Sequence, residues 1–241
     1  MPLYLTVLLC AVLATLLVYR YDLYEREPWY MLLLAALLGA VTMRLVGTVE
    51  LVSLRLVASA QAIAAVAALH EELARLLVVV GIALVLPSQF NDPMDGIVYG
   101  SIVGLGMGVE ESFYLLNLLE ERSILTLPVE LVRLLGHLIM GGIAGFGVGL
   151  VRMREAQAAR TLVICFCAAL LLHFSWDWVA LDAPVDQVMS VRQTAAAVAI
   201  MLTGMGVFGV LVITGSRRSK LHFAPQSKSS LWGWPFTKWK D

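Results

Sequence analysis

The chain has 241 residues, of which 60% are apolar and only 15% charged, with a mean hydropathy of +0.84 and a formal net charge of −1. A water-soluble domain carries roughly 25% charged residues, so this composition weighs against one, and nothing in the charge balance suggests a nucleic-acid partner. Cys10, Cys165 and Cys167 all lie inside apolar runs, which leaves neither a disulfide framework nor a Cys-x-x-Cys zinc site.

About 20 apolar residues cross the roughly 30 Å hydrocarbon core as a helix. Apolar run length and turn signals predict an all-α, polytopic transmembrane bundle of about seven spans, near residues 3–19, 29–47, 58–87, 95–119, 131–151, 160–180 and 192–214. The first run lacks a basic region ahead of it and leads directly into further spans, so it reads as a membrane helix and not as a signal peptide. Residues 1–215 form a single membrane domain, and residues 216–241 form a basic tail containing Trp232, Trp234 and Trp239. Arg152, Arg154 and Arg160 in one joint, and Arg217, Arg218 and Lys220 in the tail, place that side in the cytoplasm of a multi-pass plasma-membrane protein. The lipid bilayer is thus the first expected partner.

Ionisable groups within spans are costly and mark candidate sites. The third span carries His70, Glu71, Glu72 and Arg75 on a helix whose Ala60, Ala64, Ala67 and Ala68 permit close packing, so this stripe points inward. The spacing puts Glu71 and Arg75 four apart on one face. Two adjacent carboxylates beside an arginine can divide labour, one held ionised and the other available as a base for water activation; a structural ion pair at a helix end is the alternative. A zincin motif is absent, because position 74 is Ala where a second histidine would stand.

The fourth span has glycines at 96, 100, 104 and 108, a ladder that admits a neighbouring backbone. At about 100° per residue Glu111 falls on the ladder face and Glu110 falls off it. In the fifth span Gly141, Gly145 and Gly149 continue from Arg133 and His137 on nearly one face, so His137 also points into protein. The sixth places His173 and Asp177 four apart, close enough for the carboxylate to orient the imidazole. Glu71, Glu72, His137 and His173 are therefore the candidate catalytic groups, with Arg75, Glu111, Glu110 and Asp177 in support.

In order along the chain, Tyr21-Asp22 to Glu25-Arg26-Glu27-Pro28, Glu71-Glu72-x-x-Arg75, Asp95-Gly96-Ile97-Val98-Tyr99-Gly100, His137 and His173 resemble the motifs of the PrsW family of membrane proteases, part of the group that includes CAAX prenyl endopeptidases and bacteriocin-immunity-type proteins. The sequence departs from the pattern with Arg75 for the usual Lys, and with Met107 and Ser112 for the usual Phe and Asn. Alignment from Gly106 makes Glu111 the family glutamate, whereas alignment from Tyr114 makes it Glu110. The resemblance implies cleavage of a membrane-anchored protein, with anti-sigma factors as the substrate type. Water activated by Glu71, shaped by Glu72 and Arg75, is one expected chemistry; a zinc ion held by His137, His173 and Glu111 is the other. A non-catalytic binding or immunity scaffold and a proton-coupled transporter are the rival readings.

Overall fold

A computed structural model describes residues 2–22, 24–118, 127–181 and 190–227, and among these no strand occurs. Seven helices follow one another: α1 (Pro2–Tyr21), α2 (Trp29–Ser53), α3 (Ala60–Val85), α4 (Pro93–Leu118), α5 (Leu127–Arg152), α6 (Ala158–Leu181) and α7 (Val191–Ser227), with a single 3-10 turn at Leu54–Leu56. Five of them, α1, α2, α5, α6 and α7, are long and apolar enough to cross a membrane. The polytopic helical bundle expected from composition is what the chain forms.

Helix starts follow local chemistry. Ser59 accepts a hydrogen bond from the Ala62 amide at 3.2 Å and caps α3. At α4 a reciprocal box forms around Pro93: the Asp92 side chain accepts from the Met94 amide at 3.1 Å, and Asp95 accepts from the Asp92 amide at 2.7 Å. The α4–α5 and α6–α7 joints, and the tail residues 228–241 with their tryptophans, lie outside the described residues. Of the stretch expected as tail, residues 216–227 continue α7 as helix.

The centre of the bundle is α4, buried without interruption from Asp92 to Gly108. Its closest neighbour is α5, and the two glycine ladders interlock. A Cβ at Gly96 would overlap the carbonyl oxygen of Gly145, one at Gly100 that of Gly141, and one at Gly104 that of His137. Gly39 and Gly106 allow α2 the same intimacy on the other flank. Backbones this close exchange dispersion and weak C–H···O contacts over their length, which replaces the hydrophobic drive that lipid does not supply. The remaining helices present leucine and valine to the bilayer, as at Leu5, Leu9, Leu37 and Leu45.

Candidate active site

The ladder register fixes which polar groups meet. His137 sits on α5 where its ring lies 3.3 Å from the position a Cβ would take at Gly108, so the imidazole is laid along α4 toward Glu111. The two join, His137 Nε2 to Glu111 Oε2 at 2.8 Å. From α3 come Glu71, Glu72 and Arg75, all buried, and from α6 comes His173, also buried.

Arg75 differs from its expected pairing. Its partner is Glu72, three residues away, and not Glu71; the guanidinium also reaches His137 Nδ1 at 2.8 Å. A guanidinium only donates, so Nδ1 is an acceptor and the neutral His137 ring carries its proton on Nε2, facing Glu111. Glu72 in turn accepts from His173 Nδ1 at 2.8 Å, which turns His173 Nε2 toward Glu71 and Asp177. Asp177 lies 3.4 Å from His173 Nε2, on the side expected from its i, i+4 spacing.

Between the two rings stands Glu71. Its Oε2 is 3.7 Å from His173 Nε2 and 4.0 Å from His137 Nε2, is buried, and has no hydrogen-bond partner among the described residues. A buried carboxylate oxygen left without a partner is costly, and here it borders a cavity of about 830 Å³. The cavity is lined by Glu71, Glu111, His137, His173, Trp176 and Asp177, with Leu51, Ile63, Leu172 and Met201 supplying apolar wall. Glu72 and Arg75 stand behind that wall. Glu110 does not join the central cluster; it is a cavity-edge residue paired at 3.4 Å with the exposed Arg44. His70 is only half-buried and is not part of the lining.

Two participants had no role from sequence. Arg133 binds Glu111 through Nε at 3.2 Å and also pairs with Glu130. Its place on the ladder face with His137 was the available signal. Glu50, from α2, lines the cavity and carries an oxygen without a partner; nothing in the α2 sequence distinguishes it from an acid near a helix end.

The donor set suits a borderline metal such as zinc. Glu71, Glu111 and His137 each present a ligand atom within 4.8 Å of the others, His173 Nε2 lies beside Glu71, and the unpartnered Glu71 oxygen is the kind of group an ion would satisfy. Coordination through His137 Nε2 would require that ring to give up the proton that Arg75 now assigns to it. His173, with its Nδ1 on a carboxylate, already has the orientation of a metal-bound imidazole.

Comparison with curated proteins and with solved structures found no match. Against protein families, the PrsW family of intramembrane metalloproteases matches residues 27–213, which takes in Glu27, the whole of α2 to α6 and the membrane half of α7. The chain belongs to the PrsW family, and is a membrane-embedded peptidase.

Proposed function

We propose that the chain is an endopeptidase that hydrolyses a peptide bond of a membrane-anchored protein, of the anti-sigma-factor type by resemblance, with Glu71 as the group that activates water. The observation that carries this reading is the unpartnered Glu71 Oε2, set between two imidazoles at the edge of the cavity. Water held between Glu71 and His173 Nε2 loses a proton to the carboxylate as its oxygen attacks the scissile carbonyl carbon. The His137 Nε2–H, held in that tautomer by Arg75, passes from Glu111 to the developing oxyanion as the substrate carbonyl enters. As the C–N bond breaks, Glu71 returns its proton to the leaving amine. A zinc ion, when bound, would be held by Glu71, Glu111 and the histidines and would lower the pKa of its water and polarise the carbonyl.

Glu111 lies seven residues from the end of α4, about 10 Å along the axis, so the site is near the end of the bundle opposite the joint that carries Arg152 and Arg154. With that basic joint in the cytoplasm, the substrate is cut toward the outer leaflet. The test is quantitative membrane proteomics of cells carrying the wild type or Glu71→Gln. Gln is nearly isosteric, and Glu71 Oε2 has no hydrogen bond to lose, so the variant should fold and leave intact a membrane protein that the wild type shortens. An identical set of fragments in both strains would refute the assignment.

A further inference from the structure

We propose that Asp22, Glu27, Asp92 and Asp95 form a proton-binding clasp at the end of the bundle away from the site, fastening the α1–α2 joint, the start of α4 and the end of α7 to one another. Asp95 and Glu111 are 16 residues apart on α4, so about 24 Å separates the two clusters. The peptidase chemistry does not use this group.

All four acids are buried, with 0 to 5% of their surface exposed. Among the described residues, the donors that reach them are neutral. The Glu27 amide donates to Asp22 Oδ2 at 3.3 Å, and the Asn91 and Asp92 amides donate to Asp95 Oδ2 at 2.6 and 2.7 Å. The Tyr99 hydroxyl donates to Glu27, and the Ser219 hydroxyl of α7 donates to Asp92. The Glu27 and Asp95 carboxyls lie close to each other, a placement that favours keeping a proton on one of them. Beyond these contacts, Asp22 Oδ1 and Asp95 Oδ1 are buried with no donor among the described residues. Two unpartnered oxygens in a cluster of four acids call for a ligand that is positive.

The nearby cations are spent elsewhere. Arg152 donates to the Pro87 carbonyl at 3.1 Å, Arg218 pairs with Glu155 at 3.0 Å, and Arg26 lies over the Tyr19 ring. His222 of α7 contributes only a lowering influence on Asp92, and Glu25 adds a further negative charge beside Asp22, Glu27 and Asp92. Among the described residues, the Glu71 set alone brings three ligand groups within metal-binding distance, so these four acids do not converge on one ion. Protons are the ligand that fits.

The joint residues show the consequence. Burial, with Glu27 and Asp92 nearby, pushes Asp22 from its ordinary 3.8 to about 8, and burial also drives Glu27 and Asp92 upward. Below about pH 4 the folded and unfolded chains are both protonated at Asp22, and the clasp is fully stable. Between about 4 and 8 the folded chain keeps a proton that the unfolded chain has lost, so stability falls as pH rises. Above about 8 the part of the loss that belongs to Asp22 is complete. Opening would release the Ser219 end of α7, a helix whose other half lines the cavity through Met201 and Gly204.

The experiment measures thermal unfolding of the full chain in detergent from pH 5 to pH 9, with amide exchange of residues 24–28 and 217–222 corrected for intrinsic rate. Wild type should lose melting temperature progressively from pH 5 to pH 9, with both segments exchanging faster at the upper end. Asp22→Asn should match wild type near pH 5, melt higher than it at pH 9, and keep both segments protected; Glu27→Gln tests the same point should the first variant not fold. Profiles parallel to wild type in the variant that folds would overturn the clasp. So would a melting temperature at pH 9 that calcium or magnesium raises and a chelator reverses, since the ligand would then be a metal ion.

Discussion

Replacement of Arg75 by Met tests the polar core most severely, because one guanidinium there serves two elements. Arg75 is wholly buried, pairs with the wholly buried Glu72, and donates to His137 Nδ1. Met keeps most of the side-chain volume and removes the charge, so Glu72 is left as a buried carboxylate with His173 as its one remaining partner. Breaking a buried ion pair from one side costs about 3 to 5 kcal/mol. Removing both charges, as in Arg75→Met with Glu72→Gln, avoids the stranded carboxylate and should recover most of that loss. Arg75→Lys should fall between them in stability, since a single ammonium cannot span Glu72 and His137 as the planar fork does. Activity should follow a different order: all three variants free His137 Nδ1 from its donor, so the double variant regains stability without regaining turnover. The assays are thermal unfolding in detergent and cleavage of a membrane-anchored reporter. A single Arg75→Met variant within about 1 kcal/mol of wild type, or a double variant as unstable as the single, would refute the buried-pair reasoning.

Glu111→Gln removes the charge shared by His137 and Arg133 and should cut turnover by about 10² or more, whereas Glu110→Gln, paired with an exposed arginine, should stay within about twofold in the same reporter assay. Gly104→Ala drives a Cβ into the His137 carbonyl and should destabilise the bundle by at least about 1 to 3 kcal/mol, while Gly108→Ala meets only the His137 ring at 3.3 Å and should cost turnover more than stability. Purified wild type should carry zinc near one per chain by elemental analysis and lose cleavage on chelation, with both restored by added zinc; Glu71→Gln should carry less. Full activity in metal-free protein would remove zinc from the chemistry.

Much of the scaffold was legible because small residues at fixed spacing have few uses in a membrane helix. The glycine ladders of α4 and α5 predicted close packing, and the 100° rule placed Glu111, not Glu110, on the packed face. The polar pairings were harder to read. Spacing suggested Arg75 with Glu71, but both i, i+3 and i, i+4 partners are within reach of a long side chain, and tertiary neighbours decide between them. Here His137 and His173 arrive from α5 and α6, so Arg75 bridges Glu72 to His137 and leaves Glu71 free. The clasp was invisible for a related reason. Asp22, Glu27 and Asp95 stood in separate motifs of the resemblance and Asp92 in a polar joint, and only the fold shows that two joints and α7 bury them together. The extent of α7 was also understated, since Arg217, Arg218 and Lys220 end an apolar run without ending a helix; no glycine or proline stands between Ser216 and Ala224.

The two helices outside the five apolar spans, α3 and α4, carry Glu71, Glu72 and Glu111, and the packing explains how each still crosses the bundle. α4 meets almost no lipid, because α1, α2, α5 and α7 surround it, so its glycines, acids and serines carry no cost of exposure to hydrocarbon. α3 has the opposite solution. Leu69, Leu73, Leu77 and Leu84 are exposed along one side, a stripe at intervals of four and seven, while Glu71, Glu72, Arg75 and Val79 are buried along the other. At 26 residues each helix is about 39 Å long, enough for the hydrocarbon core. The three charges that set α3 apart from the lipid-facing helices lie on its interior face. The same asymmetry gives the chain its candidate site, because those charges are concentrated on the face where His137 and His173 meet them.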